Sequence, residues 1–311
     1  MSDTGAATRA AAASAVSAVT RQGRSLDAAL AEAEQQVATT ERSLLRLLAF
    51  GSLRHWWRLD ERIARRLDRP LRARDQVVRA LLVVGLYQLT ETRIPPHAAV
   101  DLTVRAARRL RRPRLAGLVN AVLRAELRDP GGSRHGADAD EGGPEPARYD
   151  HPQWLIDRLR IDWPGDWRDI LAANNRRAPM WLRINAKRSD AASYAARLPN
   201  GARRLEALPQ ALALPEPLDV EELPGFRAGE VSVQDGAAQL AAPWLLAGGG
   251  LRIADLCAAP GGKTAHLLEL SGPETTLTAV ESDKERAARI PETLDRLGLA
   301  ATLRVADASD L

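Results

Sequence analysis

The segment from Asp255 to Thr264 reads Asp-Leu-Cys-Ala-Ala-Pro-Gly-Gly-Lys-Thr, and its residue types are those of a ligand-binding turn. It follows a short apolar run typical of a strand and precedes apolar residues at helical spacing from Ala265 onward. A glycine turn between a strand and a helix lets a ligand approach the backbone and directs free N–H groups toward it. The segment therefore predicts a binding loop at the carboxyl end of a strand.

Two acidic residues follow the next two predicted strands. Glu281 ends the second strand, nineteen residues beyond Gly262, and Asp307 follows the third strand. In open α/β sheets, ligands bind beyond the carboxyl ends of the strands, and an acid about twenty residues past a glycine turn suits ribose hydroxyls. An Asp after the third strand can accept a hydrogen bond from an adenine amino group. These positions together predict a cofactor that carries a ribose and an adenine.

Three other interpretations of the glycine turn remain open. The Gly-Lys-Thr that ends at Thr264 matches the end of a P-loop, but Cys257 stands where the first glycine should be and Pro260 removes an N–H that a phosphate needs. A dinucleotide fingerprint needs three spaced glycines, whereas Gly261 and Gly262 are adjacent. The third alternative is a loop that binds no ligand, and the two acids at the strand ends argue against it.

The elements before the loop fall into three regions. Residues 8–128 carry apolar residues at helical spacing throughout, which predicts an all-α bundle of five to seven helices within a domain at 1–128. Residues 129–148 lack large apolar residues and predict a disordered linker. Residues 149–235 combine helical spacing with two alternating runs, at 181–185 and 231–233, and predict a small α+β domain.

The last region, residues 236–311, alternates regularly between helical and strand patterns. The predicted helices cover 236–247, 263–271 and 284–297, and the predicted strands cover 251–256, 276–281 and 302–306. This alternation is typical of a parallel, doubly wound α/β sheet. Leu311 lies just past the third strand, so we expect this domain to be incomplete, with an exposed sheet edge.

The net charge of +4 conceals an asymmetry between the two halves of the chain. Residues 1–128 contain 23 Arg and 12 acidic residues and carry +11, whereas the remainder contains 21 basic and 28 acidic residues and carries −7. A basic half predicts contact with a polyanion such as nucleic acid.

Composition also bears on the compartment and on possible ligands. The single cysteine excludes an internal disulfide and is compatible with the reducing cytoplasm. No apolar run approaches the length that a membrane span needs, and no clustering of His and Cys predicts a metal site. We therefore expect a cytoplasmic protein without a membrane or metal partner.

The densest basic run lies beside a predicted helix end and is the candidate RNA contact. It consists of Arg105, Arg108, Arg109, Arg111, Arg112 and Arg114. Such a run can bind phosphates independently of sequence, or it can be a solvated helix face that complements the carboxyl end of the helix. A second basic stripe comprises Arg54, Arg58, Arg62, Arg65 and Arg66.

The Asp255–Thr264 segment resembles the S-adenosylmethionine motif of RNA 5-methylcytosine methyltransferases. The chain as a whole resembles the bacterial 16S rRNA (cytosine-5-)-methyltransferases of the RsmB/NOP family. The likeness continues in Val-Gly-Leu-Tyr-Gln-Leu at 84–89, Thr-Arg-Ile-Pro-Pro-His-Ala at 92–98 and Met-Trp-Leu-Arg-Ile-Asn at 180–185.

The resemblance implies a NusB-like helical RNA-binding domain, a small α+β domain and a Rossmann-like methyltransferase domain. It also implies S-adenosylmethionine as the cofactor and 16S rRNA as the partner and substrate. By the resemblance, Glu281 holds the ribose hydroxyls and Asp307 faces the adenine. The loop residues that line the methionine and ribose side are Cys257, Ala258, Ala259, Pro260, Gly261, Gly262 and Lys263.

Members of this family use two further cysteines, after the fourth and fifth strands, to form and release a covalent adduct with cytosine. These positions are not among the 311 residues, and Cys257, the only thiol, lies in the cofactor loop. The resemblance therefore implies that the chain contains no catalytic residue of its own. The alternative function is a non-catalytic RNA-binding protein that retains a partial cofactor site.

Overall fold

The computed structural model describes residues 4–130, 143–198, 202–249 and 252–310. The chain divides into two units, Met1–Arg177 and Ala178–Leu311. Each unit has hydrophobic core residues of its own. This division into two units does not test the finer ranges predicted from the sequence, 1–128, 129–148, 149–235 and 236–311, which remain predictions.

The first unit is helical, as predicted for residues 8–128. Its helices are α1 (Thr4–Gln22), α2 (Leu26–Glu34), α3 (Arg42–Arg54), α4 (Trp56–Arg66), α5 (Gln76–Glu91), α6 (Pro96–Arg109), α7 (Ala116–Arg128), α8 (Glu145–Tyr149), α9 (Gln153–Asp162) and α10 (Trp167–Asn175). Short 3₁₀ turns at 73–75 and 113–115 lead into α5 and α7.

Helix α5 is the central helix of the bundle. Its residues are buried almost without interruption from Val78 to Gln88, because α1, α3, α4, α6 and α7 all contact it. The run is too continuous for an amphipathic surface helix, and such helices lie inside a core. The two consecutive prolines that follow α5 end at Pro96, where α6 begins, since proline suits the first turn of a helix.

The predicted linker at 129–148 falls mostly on residues 131–142, which lie outside the described residues. Its last part differs from the prediction, because residues 145–149 form α8. This helix is held to the bundle by Asp150, whose carboxylate lies 3.0 Å from Nδ1 of His55 and accepts a hydrogen bond from the backbone N–H of Arg58 (2.8 Å). Tertiary contacts therefore stabilise a helix in a segment of low apolar content.

The second unit begins with a four-stranded antiparallel sheet in the order β2-β3-β1-β4. Its elements are β1 (Met180–Ile184), α11 (Ala191–Ala195), β2 (Arg203–Leu205), β3 (Leu208–Leu214) and β4 (Val231–Val233). Strands β1 and β4 match the two predicted alternating runs. Strands β2 and β3 lie in a proline-rich stretch that carries no clear strand pattern.

The unit continues with a parallel sheet in the order β5-β6-β7. Its elements are α12 (Ala241–Ala247), β5 (Arg252–Asp255), α13 (Gly262–Leu270), β6 (Thr276–Glu281), α14 (Lys284–Ala287), α15 (Arg289–Leu297) and β7 (Thr302–Val305). The predicted α/β alternation is confirmed. The helix predicted at 284–297 is divided at Ala288, and Pro291 then falls in the first turn of α15, where its missing N–H has no intrahelical partner to lose.

Within the described residues, no helix is both long enough and apolar enough to cross a membrane. The same residues contain no group of three His, Cys, Asp or Glu side chains arranged to hold a metal ion.

Candidate functional site

The glycine turn forms a tight loop between β5 and α13. Gly261 has a φ of +100° and precedes the first residue of α13, and its N–H donates to the carbonyl of Ala258 (2.6 Å). A Cβ at this position would lie 3.3 Å from Cβ of Thr293 and 3.5 Å from Cα of Ile290. Positive φ and close packing against α15 together favour glycine here.

Three hydrogen bonds hold the loop at the carboxyl edge of the sheet. The hydroxyl of Thr293 donates to the carbonyl of Pro260 (2.6 Å), the hydroxyl of Thr264 donates to Asp255 (2.7 Å), and the N–H of Ala258 donates to the carbonyl of Val280 on β6 (3.0 Å). The loop is therefore positioned by β6, by α15 and by the end of β5.

One side of the loop faces open space. A Cβ placed on Gly262 would meet nothing within 4 Å. Cys257, Pro260 and Lys263 are exposed, whereas Ala258 is 3% exposed and packs into the core. A ligand can thus approach the backbone at Gly262, at the first turn of α13.

Glu281 is a buried carboxylate at the adjacent strand end, and its residue is 3% exposed. Its Oε1 accepts from the N–H of Asp283 (3.2 Å), and its Oε2 lies 3.5 Å from the guanidinium of Arg286. Oε2 accepts no hydrogen bond from any described residue. Buried polar atoms without a hydrogen bond are uncommon in folded proteins, so this oxygen is a candidate acceptor for a ligand's donor.

Asp307 follows β7 and is exposed. Its Oδ1 accepts from the N–H (2.9 Å) and the hydroxyl (2.7 Å) of Ser309, and these bonds lower the pKa of the carboxyl group below its usual range. The preceding residue, Ala306, donates its N–H to the carbonyl of Glu281 (3.2 Å). The structure therefore brings the loop and both predicted acids to one edge of the sheet.

Arg183 on β1 is a buried residue that sequence reasoning did not single out. It is 1% exposed, and its Nε and Nη2 donate to the carboxylate of Glu269 near the end of α13 (3.0 and 2.8 Å). Its Nη1 donates to the carbonyl of Gly262 in the first turn (2.8 Å) and to Gln234. One guanidinium thus joins both ends of α13 to the antiparallel sheet. In the sequence Arg183 alternates with the apolar Leu182 and Ile184, so the strand pattern alone gave no sign that it would be buried.

His266 lies on the same helix and is also buried. Its Nε2 is 2.9 Å from the side-chain oxygen of Gln210. Burial, together with the positive charge of Arg183, lowers the pKa of His266 to about 3. The imidazole is therefore neutral at physiological pH.

The six arginines of the predicted RNA contact lie in two groups. Arg105, Arg108 and Arg109 belong to α6, where Arg105 lies 3.7 Å from Asp101. Arg111, Arg112 and Arg114 line a cleft that also contains Arg72, Arg74 and Asp75, residues that the basic run did not include. We call this surface, formed by segments 70–75 and 111–115, the arginine cleft.

The second basic stripe is largely ion-paired. Arg58 pairs with Glu91 and Asp150, Arg65 with Glu61, and both Arg62 and Arg66 with Glu126. These contacts explain the stripe by packing within the bundle, and a ligand is not needed to balance its charge.

Comparison with known proteins assigns each region of the chain to a described family. Residues 6–128 match the NusB family, residues 151–221 match the ferredoxin-like domain of RsmF/B-like methyltransferases, and residues 244–311 match the 16S rRNA methyltransferase RsmB/F family. The solved structure titled "Crystal Structure of PH0851" superposes with a TM-score of 0.73 at 19% identity, covering 99% of this chain and 70% of that chain. This likeness supports the fold.

Curated relatives extend the match over nearly the whole chain. The Vibrio cholerae protein named ribosomal RNA small subunit methyltransferase B is 45% identical over 303 residues, which span 96% of this chain and 69% of that protein. The proteins of the same name from Shigella flexneri and Escherichia coli K12 are 43% and 42% identical over the same shares of the two chains. The chain therefore belongs to the ribosomal RNA small subunit methyltransferase B family.

Proposed function

We propose that this chain binds S-adenosylmethionine and serves the methylation of a cytosine C5 in 16S rRNA. The observation that carries the proposal is the buried Glu281 carboxylate, whose Oε2 lacks a hydrogen-bond donor beside a glycine loop with an open face. Vicinal ribose hydroxyls would supply the missing donors. The relatives named ribosomal RNA small subunit methyltransferase B support rRNA as the substrate.

The residues at the sheet edge fit this cofactor in three respects. Gly262 leaves room for close approach of the ligand to the backbone. The positive end of α13 would face the methionine carboxylate of the cofactor. Glu281 offers an acceptor for the ribose, and Asp307 offers one for the adenine amino group. When bound, S-adenosylmethionine supplies an electrophilic methyl group on a sulfonium.

The basic half of the chain suits an RNA partner, since residues 1–128 carry +11. The six arginines of the basic run, from Arg105 to Arg114, belong to this proposed contact. We also propose a cytoplasmic location, where rRNA is available. The contact does not depend on the cofactor site and can be measured separately.

Methylation at C5 needs a nucleophile other than Cys257. Cytosine C5 becomes nucleophilic when a thiolate adds to C6, and C5 then takes the methyl group from the sulfonium, which becomes a thioether. Removal of the C5 proton by a base re-forms the C5–C6 double bond and expels the thiolate from C6. Cys257 is the only cysteine, and it lies on the loop that the bound cofactor would cover, which would keep the thiol from reaching cytosine C6. We therefore expect this chain to bind both the donor and the RNA without transferring the methyl group by itself.

Calorimetric titration with S-adenosylmethionine tests the cofactor site. We expect the wild-type chain to bind and Glu281→Gln to bind at least about tenfold more weakly, because a charged acceptor for two hydroxyls is lost. Glu274→Gln is the matched control, since Glu274 is exposed and precedes the amino end of β6, whereas Glu281 lies at its carboxyl end. RNA binding without any cofactor binding would contradict the cofactor site and leave only an RNA-binding role.

A transfer assay on unmethylated 16S rRNA, followed by nucleoside analysis, tests the chemistry. Cofactor binding without transfer agrees with the missing thiol. Formation of 5-methylcytosine that Cys257→Ser abolishes would contradict our assignment of Cys257, and formation of any other methylated nucleoside would contradict methylation at C5.

A further inference from the structure

The arginine cleft lies in the helical unit, is open to solvent and has a volume of about 690 Å³, and its charge is strongly positive. Five arginines line it, at positions 72, 74, 111, 112 and 114, with Asp75 as the single acid. Asp75 lies 2.9 Å from Nε of Arg112 and 3.7 Å from Nε of Arg74. Three guanidiniums, those of Arg72, Arg111 and Arg114, have no ion pair or side-chain hydrogen bond with any described residue.

Arg112 connects the two walls of the cleft. Its Nη2 donates to the carbonyl of Arg74 (2.7 Å), and its Nη1 donates to the carbonyl of Arg111 (3.1 Å). Together with Asp75, these contacts fix one guanidinium between segments that lie about forty residues apart in sequence. The unpaired arginines therefore lie on two segments that the contacts of Arg112 hold together.

The helix dipoles explain only part of why cations gather here. Segments 70–75 and 111–115 lead directly into the N-termini of α5 and α7, which begin at Gln76 and Ala116. The N-terminal end of a helix carries partial positive charge, which attracts anions and disfavours nearby cations. Only the carboxyl end of α6, at Arg109, favours the arginines that follow it. The five guanidiniums and two helix N-termini thus add up to an anion-binding surface.

The backbone at Arg111 lies in the left-handed region, which is uncommon for an arginine. The end of α6 forms a Schellman motif, in which the N–H of Arg112 donates to the carbonyl of Ala107 (2.9 Å) and the N–H of Arg111 donates to that of Arg108 (3.0 Å). Arg111 occupies the left-handed position of this motif with a φ of 57°, where glycine is least strained. Glycine would end α6 in the same way with less strain, so the motif itself does not call for an arginine here.

We propose that the arginine cleft binds the phosphate backbone of RNA, an inference that rests on the proposed rRNA substrate and extends its contact from the basic run to a second wall that carries Arg72 and Arg74. Guanidiniums match phosphate oxygens through paired hydrogen bonds, and they are spread here over two walls rather than gathered around one small anion. An extended polyanion therefore fits the surface better than a single free phosphate.

Filter binding of in vitro-transcribed, unmethylated 16S rRNA between 50 and 300 mM NaCl tests the cleft. Each phosphate contact contributes about 0.7–0.9 to the slope of log affinity against log salt. We expect Arg111→Gly to reduce the slope by about that amount and to raise Kd about five- to eightfold at 0.1 M salt. The combined change Arg72→Ala, Arg111→Gly and Arg114→Ala should reduce the slope by about three times as much.

The choice of glycine separates binding from folding. Glycine relieves the positive φ, so Arg111→Gly should keep or raise the melting temperature while weakening RNA binding. Arg227→Ala is the charge-matched control, because its side chain is 82% exposed in the other unit. Arg114→Ala provides a second test that leaves the backbone of the Schellman motif unchanged.

The outcomes are distinct from those of the proposed function. Folded Arg111→Gly and Arg114→Ala variants that keep the wild-type slope and Kd would overturn the cleft. Competition by 10 mM inorganic phosphate as strong as that by a competitor RNA at 10 mM nucleotide units would also overturn the proposed RNA site, in favour of a small-anion site. S-adenosylmethionine titration on the same samples should be unchanged, so a failed cofactor site would appear there and not in the salt slope.

Discussion

Arg183 in the α/β unit and Arg111 in the helical unit are held in opposite ways. Arg183 is 1% exposed, and its guanidinium donates to a carboxylate, a side-chain amide and a backbone carbonyl. Arg111 is exposed, has no side-chain partner among the described residues, and sits on a strained backbone. Both occur in a chain where nearly every basic residue is arginine, so composition alone does not separate them.

The difference separates arginines whose charge the fold itself balances from arginines whose charge it leaves unbalanced. A buried ion is stable only when its partners belong to the fold, so the surroundings of Arg183 account for it completely. Exposed cations gathered at two helix N-termini repel one another, and among the described residues Arg72, Arg111 and Arg114 have no side-chain partner that offsets this repulsion. Pairing, and not charge density along the sequence, therefore distinguishes a structural arginine from a candidate for contact with a partner.

The largest expected effect comes from breaking the buried pair. Arg183→Met should lower the free energy of unfolding of the second unit by about 3–5 kcal/mol, because Glu269 is left buried and unpaired. Hydrogen exchange in a peptide that covers α13 should increase in the same variant, since both ends of this helix lose a contact.

The double variant Arg183→Met and Glu269→Leu serves as its control. Replacing both ions with apolar residues removes the unpaired charge, so the double variant should be more stable than Arg183→Met alone. A loss below about 1 kcal/mol for the single variant would mean that the guanidinium does not stabilise α13.

Sequence patterns predicted the parallel sheet closely, because its signals are local. The strand predicted at 276–281 coincides with β6, and the helix predicted at 263–271 differs from α13 by one residue at each end. Strand β3 was not predicted because Pro209 interrupts the pattern, and the strand is stabilised by pairing with β1 on one side. Such non-local pairing leaves no periodic signature in the strand's own residues.

The candidate sites divide in the same way. Local residue order indicated the loop and the spacing of Glu281, and the structure brings them to one edge. The arginine cleft was predicted only in part, because Arg72 and Arg74 lie about forty residues before Arg112, and only folding brings the two segments together. Arg183 left almost no signal, since the importance of a buried ion depends on partners from distant segments.

His266 provides a pH-dependent effect of intermediate size. Its pKa is about 3 in the folded chain and about 6.5 when unfolded, so between these values the unfolded chain binds the proton more strongly. Stability therefore falls as the pH drops from 7 to 5, and this residue alone contributes about 2 kcal/mol to the loss. Urea unfolding at both pH values should show a smaller loss for His266→Gln, and equal losses in the two proteins would contradict the buried, neutral imidazole.

Gly261 and Arg111 allow a smaller test at two left-handed positions. Gly261→Ala should lower stability by about 1–2 kcal/mol, because alanine at φ +100° is strained and its Cβ meets Thr293 at 3.3 Å. Arg111→Gly should have the opposite sign, about 0.5–1 kcal/mol in favour of folding. Thermal unfolding of both variants measures this contrast, and destabilisation by Arg111→Gly would show that the side chain supports the fold.

The smallest expected effect belongs to the exposed cleft arginines, and it completes the contrast with Arg183. Arg114→Ala removes a cation that has no partner among the described residues and lies near the N-terminus of α7. The free energy of unfolding should change by less than about 0.5 kcal/mol, with a gain favoured at low salt because repulsion from the other arginines and from the helix end is relieved. Urea unfolding at 50 and 500 mM NaCl should show the gain shrinking as salt screens the charges. A loss of stability at both salt concentrations would mean that Arg114 stabilises the bundle, and its exposure would then no longer indicate a partner.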